Sequence, residues 1–131
     1  MPEAPCLFPA IRSRDAVGLI AWLGTFGFSV HTRHGDGDRI DHAELALGAS
    51  ILMVGSARDD DTGRLLGDPG AGGGAFYVAV GDVDALFVRA EGAGVDIVEP
   101  PSDRDYGSRE FTVRDPDGRI WIFGTYWPQV G

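Results

Sequence analysis

The sequence repeats itself once, with an offset of 67 positions. Asp15 falls on Asp82, Ala16 on Val83, Leu19 on Leu86, Ala21 on Val88, Gly27 on Gly94, Phe28 on Val95 and Val30 on Ile97. In each copy an apolar run ends at an acidic residue (Phe8 to Asp15, Ala75 to Asp82). A helical stretch follows, then a glycine, then a second apolar run. A period near half the chain length means two copies of one supersecondary unit, since a solenoid needs roughly three repeats or more. Two paired half-domains tend to form one site between them, so the repeat constrains function as well as fold.

The chain has 131 residues, one domain by size, and 44% of them are hydrophobic, enough for a core. No apolar stretch approaches the ~18 residues a membrane span needs. The N-terminal MPEAPCLFPAIR lacks a basic leader followed by an apolar segment, so no secretory signal is expected. Cys6 is the single cysteine; it fits a reducing, cytoplasmic setting and reads as a partly buried small apolar residue. The net charge of −9 argues against nucleic acid, which needs clustered Lys and Arg, and favours a cationic small molecule.

Each copy has the same internal plan. Phe76, Val78 and Val80 alternate with Ala75, Tyr77 and Ala79, the period of a half-buried strand. Asp82 is a helix N-cap, and apolar residues at Ala85, Leu86, Val88 and Ala90 precede a stop at Gly92 or Gly94. VDIVEPP is a short strand ended by its two prolines. SREFTVRDPDGRIWIFGTY is a hairpin around DPDG, whose Asp, Pro and Gly are turn formers. The first copy repeats this βαβββ plan with SRDAVGLIAWLGTFG, FSVHTRH, HAELALG and SILMVG. The expected modules are residues 7–56 and 75–128, joined by an exposed linker at 57–74 rich in Gly, Asp and Pro.

Paired βαβββ modules, the DPDG hairpin before an aromatic last strand, and FPAIRSRDAVGLIAWLGTFGFSV together resemble the vicinal oxygen chelate superfamily, which contains glyoxalase I, extradiol dioxygenases, and fosfomycin- and bleomycin-resistance proteins. The opening segment, together with HAELALG and YGSREFTVRDPDGRIW, looks most like the bleomycin-resistance-like and uncharacterised glyoxalase-like branch. The resemblance covers about residues 7–128. It implies an α+β fold in which two paired modules form curled mixed sheets around a cleft, with helices on the outer face. It also implies a homodimer.

Enzymes of that superfamily hold a divalent ion with His, Gln or Glu at the start of the first strand and on the last strand of each module. The matching positions here are Phe8, Ala75, Ile122 and a fourth around Leu52 and Met53. These side chains offer no donor to a hard or borderline cation, so neither metal nor other cofactor is expected.

Strand alternation then gives the lining of the cleft. Phe8, Ala10 and Arg12 face inward on the first strand, as do Ala75, Tyr77 and Ala79 on the fifth. Ile120, Ile122, Gly124 and Tyr126 follow on the last, with Trp121 and Phe123 under the helices. Ala43, Leu45, Leu47, Phe111 and Val113 take the helix side, leaving His42, Glu44, Glu110, Thr112 and Arg114 toward the cleft. Glu44 and Glu110 fall at near-equivalent places in the two copies, and either can pair with Arg12, Arg109 or Arg114. The ligand-binding set is therefore Phe8, Arg12, His42, Glu44, Tyr77, Glu110, Thr112, Ile122 and Tyr126, with no catalytic residue assigned.

Other features read as ordinary surface or core. His31, His34 and the acidic run Asp59 to Asp61 are solvated; Trp22 is core; an exposed Trp127 would mark a subunit contact or pocket rim. No GxSxG elbow is present, and GDPGAGGG lacks the GK[ST] ending of a phosphate loop. The expectation is a metal-free protein that binds a small, aromatic or cationic molecule, in the manner of antibiotic-sequestering resistance proteins. The alternative is a lyase, isomerase or dioxygenase whose metal ligands moved to His42, Glu44 and Glu110.

Overall fold

The computed structural model describes residues 5–60 and 67–129. Expectations for residues 1–4 and for residues 61–66 of the linker, Asp61 among them, fall outside these. The chain divides into two compact units, Met1–Ala71 and Gly72–Gly131, with the division inside the glycine-rich connector.

The first unit runs β1 (Ala10–Ser13), α1 (Ala16–Thr25), β2 (Ser29–Asp36), β3 (Arg39–Leu47) and β4 (Ser50–Ser56). Its sheet has the order β1-β4-β3-β2, with β1 parallel to β4 and the other pairs antiparallel. The second unit runs β5 (Ala75–Ala79), α2 (Val83–Gly92), β6 (Asp96–Asp103), β7 (Arg109–Arg114) and β8 (Ile120–Gly124). Its order, β5-β8-β7-β6, is the same topology. The architecture is α+β, two mixed four-stranded sheets with one helix each.

Both helices begin and end alike because the repeat placed the same residue types at their ends. Asp15 and Asp82 accept from the backbone N–H of Gly18 and Ala85, each at 3.0 Å. At the other end Phe28 N–H reaches Leu23 O and Gly27 N–H reaches Gly24 O; Val95 and Gly94 repeat this on Ala90 and Glu91. Such a double closure needs a left-handed residue after the cap, supplied by Gly27 (φ +96°) and Gly94 (φ +77°).

Each sheet buries one face under its helix. In the first unit Leu19 and Leu23 meet a face carrying Ala43, Leu45, Leu52 and Val54, all essentially buried. In the second, Val83 and Ala90 cover Phe111, Val113, Trp121 and Phe123. Phe87 stands edge-on to Phe111 at 5.6 Å, and Phe76 stacks on its register partner Trp121 at 4.4 Å. The strand alternation read from the sequence is thus the observed one in the core of both sheets.

Four local expectations give way. Ala85 and Val88 are exposed, because a helix starting at Val83 turns 83, 87 and 90 inward instead. β6 continues through Pro100 and Pro101 to Asp103: it is an edge strand with register shifts on either side of Glu99, where a missing N–H breaks no ladder. The first strand begins only at Ala10, which leaves Cys6 exposed and Phe8 outside the sheet, 40% exposed. Trp22 is half-buried against Phe26 at 4.7 Å instead of fully core. No helix among the described residues is long and apolar enough to cross a membrane.

The DPDG hairpin is pinned by a buried carboxylate. Asp115 accepts from the backbone N–H of Asp117 (2.8 Å) and Arg119 (3.0 Å), and from the Trp121 indole N–H at 2.9 Å. Gly118, at φ +93°, closes the turn on Asp115 O. Asp115→Ala leaves those buried donors without an acceptor and is expected to cost about 3 kcal/mol in urea denaturation. Asp105→Ala, at an exposed position, should stay within about 0.5 kcal/mol.

Candidate functional site

On the second sheet, the face turned away from α2 carries an acid among tyrosines. Glu110 on β7 pairs in register with Gly124 on β8 and has only 7% of its side chain exposed. Gly124 keeps the strand bare there. A Cβ at that position would lie 2.6 Å from the Tyr77 hydroxyl and 2.7 Å from Glu110 Cγ. Tyr77 therefore lies across β8 from β5 and donates its hydroxyl to Tyr126 O at 2.6 Å. Tyr126 is tied a second time, its N–H donating to the buried Ser108 hydroxyl at 3.0 Å.

The loop between β6 and β7 completes the cluster. Arg104 N–H bonds Ser108 O at 2.7 Å, Gly107 turns at φ +90°, and Tyr106 is presented beside the strand. Tyr106 donates its hydroxyl to Glu110 Oε2 at 2.7 Å. Arg104 Nε stands 3.4 Å from Oε1, while its Nη2 donates to Glu99 at 3.2 Å. The Tyr126 ring is 6.4 Å from that of Tyr77, tilted 56°, and 6.4 Å from that of Tyr106, nearly perpendicular at 87°. The hydrogen bond to Glu110, then loss of water, raise the Tyr106 phenol above its ordinary pKa. Arg104 is likewise raised, first by its bond to Glu99.

The open face of the first sheet is differently equipped. His42 Nε2 and Glu44 Oε2 are 2.9 Å apart, and the His34 ring stacks on that of its strand partner His42 at 6.5 Å. Thr32, the register partner of Glu44, has a buried hydroxyl with no hydrogen-bond partner among the described residues. Arg12 extends over Gly55, where a Cβ would collide with its guanidinium, and donates to Asp41 O at 3.3 Å. Beyond it lies a cavity of about 430 Å³ whose walls include Arg12, Arg39, Arg58, Asp41, Asp59 and Asp60. Its charges are largely matched internally, Arg39 to Asp41 and Arg58 to Asp60.

These geometries sort the residues read from the sequence. Tyr77, Glu110 and Tyr126 come together; Thr112 and Ile122 lie one row away, Thr112 pairing with Ile122 and Ile122 with Tyr77. His42 and Glu44 form a pair of their own, with Arg12 on the same sheet, and Phe8 precedes β1. The two glutamates are not equivalent. Glu44 pairs with Met53, and Met53 with Ala10, so its counterpart in the second sheet is Thr112, in the row of Ile122 and Tyr77. Glu110, two residues earlier along β7, corresponds instead to His42. The expected ion pairs also change. Arg109 binds Asp84 and Asp103 at 3.0 and 3.1 Å, Arg114 lies 3.5 Å from Asp96, and Glu110 takes Arg104. Tyr106 and Arg104 escaped the sequence reading because strand alternation says nothing about a loop; the spacing of Tyr106 four residues before Glu110 was the available signal.

The superfamily metal does not fit this chain. Its ligand positions hold Phe8, Ala75 and Ile122, and the fourth is Met53, since Leu52 is buried in the core. Among the described residues no group of three His, Cys, Asp or Glu side chains is placed to hold an ion.

The raised Tyr106 phenol has a measurable consequence. Between the ordinary tyrosine value, about 10, and the higher folded value, the folded chain keeps a proton that the unfolded chain releases. That contribution to stability is full below the unfolded value and is lost as pH rises through the folded one. Ultraviolet titration of phenolate should show one tyrosine ionising late. Tyr106→Phe should delete it and Glu110→Gln should shift it down.

Comparison with known proteins accords with the fold. The family model described as Glyoxalase/Bleomycin resistance protein/Dioxygenase superfamily matches residues 10–123. The crystal structure of TioX from Micromonospora sp. ML1 is similar with a TM-score of 0.74 and 31% identity, covering 97% of this chain and 100% of that one. A glyoxalase-related enzyme from Fulvimarina pelagi shares the fold at TM-score 0.74 and 19% identity, covering 97% and 93%. An uncharacterized protein of Mycobacterium tuberculosis (strain ATCC 25618 / H37Rv) is 32% identical over 97 residues, 69% of this chain and 55% of that protein. The chain thus spans little more than half the length of that curated relative. With the family model matching most of its length, this chain belongs to the glyoxalase/bleomycin resistance protein/dioxygenase superfamily.

Proposed function

We propose that the protein binds a small organic cation with an aromatic or other apolar body, without a metal, and sequesters it as resistance proteins of the superfamily sequester antibiotics. The observation that carries this reading is the Glu110 carboxylate, nearly buried and ringed by Tyr77, Tyr106 and Tyr126. Glu110, Glu99 and Arg104 together leave one negative charge unmatched, and Arg104 holds Glu99 by the shorter contact. Tyr106 and Tyr126 expose 59% and 51% of their surfaces, an aromatic patch beside that charge. The net charge of −9 draws cations toward it over a longer range.

Calorimetric titration with proflavine, a planar aromatic cation, tests the reading. Stranding a bound cation without its carboxylate costs at least about 1.4 kcal/mol, so Glu110→Gln should weaken binding about tenfold or more. Glu44→Gln, on the other sheet, should cost less than about threefold, and Asp60→Asn less than about twofold at salt that screens long-range charge. Equal losses from all three would mean that net charge alone acts.

A second consequence concerns the metal. EDTA should leave the melting temperature unchanged, and elemental analysis finding about one divalent ion per chain would overturn the metal-free reading.

A further inference from the structure

We propose that the cation Glu110 and its tyrosines select is a fully alkylated one, a quaternary ammonium group; this rests on the binding reading above and narrows it to one ligand class. The first argument is one of hydrogen-bond supply. Glu110 Oε2 already accepts from Tyr106, and Oε1 faces Arg104. Tyr126 O already accepts from the Tyr77 hydroxyl. A primary ammonium brings three N–H donors that must leave water on entry, and in this cluster they would share Glu110 and Tyr126 O with donors already bonded there. A quaternary ammonium has no N–H to satisfy. It draws its stabilisation from ring faces and from the nearby negative charge.

The second argument is the placement of the rings. A cation within about 6 Å of a ring centroid is drawn to the ring face. Tyr106 and Tyr126 stand 6.4 Å apart at 87°, and Tyr77 stands 6.4 Å from Tyr126, so three rings gather at the Glu110 carboxylate. The rings are also held before any ligand arrives. Tyr77 and Tyr106 are fixed through their hydroxyls and Tyr126 through both of its backbone groups. Such preorganisation removes much of the ordering cost of binding.

Benzyltrimethylammonium and benzylammonium form a matched pair of probes, alike in aromatic body and charge. In calorimetric titration of the full chain at neutral pH, the quaternary probe should bind at least about tenfold more tightly. Tyr126→Leu should lose that preference, while Tyr126→Phe, which keeps the ring face, should hold affinity within about threefold. Circular dichroism of both variants verifies the fold. Equal or tighter binding of benzylammonium overturns the inference, as does a Tyr126→Leu variant that keeps the preference. If proflavine binds through Glu110 and the quaternary probe does not, this inference fails and the broader reading stands. If none of the three binds, both fail.

Discussion

The hydrogen bond from the Trp121 indole to Asp115 sets what the second unit can present. It anchors β8 at the start of the strand, where a slip of one residue would send every side chain to the opposite face. With Trp121 held inward, Phe123 follows it into the core, and Ile122 and Gly124 are left on the open side. Gly124 then receives Tyr77, and Glu110 stands beside it in register. The acid among tyrosines is thus a downstream result of one buried carboxylate in a turn. That carboxylate, wholly withdrawn from solvent, is tolerated because two backbone N–H groups, an indole and Arg119 surround it.

Much of this was legible in the sequence. The repeat gave the module plan, and matching acids and glycines at the ends of the helical stretches gave both caps. Period-two alternation assigned Phe111, Val113, Trp121 and Phe123 to the core and Glu110 to the other face. What alternation could not supply was lateral register between strands, since pairing depends on turns and bulges that no single strand encodes. Hence Glu44 and Glu110, near-equivalent along the chain, lie in different rows. The prolines of β6 misled for a related reason: they forbid a central strand but permit an edge, and edge position follows from sheet order. Loops were least legible, which is why Tyr106 and Arg104 emerged only from the fold.

The two units have diverged in their open faces far more than in their cores. Apolar residues recur at corresponding positions under each helix, because both sheets solve the same packing problem. On the other face the first unit carries an imidazole–carboxylate pair and a guanidinium, the second an acid within a ring of phenols. A side chain on the face away from the helix takes no part in the packing beneath that helix, so its identity is freer to vary with function.

Gly55 and Gly124 bear on how such faces can change. Each leaves the last strand bare where a long side chain from the first strand crosses it, Arg12 in one copy and Tyr77 in the other. Neither member of these pairs can be replaced alone at little loss. A bulkier residue at 124 evicts Tyr77, and a shorter one at 77 uncovers backbone that the ring now shields. Substitutions there are epistatic. Among relatives of this chain, position 12 should covary with 55 and position 77 with 124, so that the floor and the side chain lying on it are inherited as one trait.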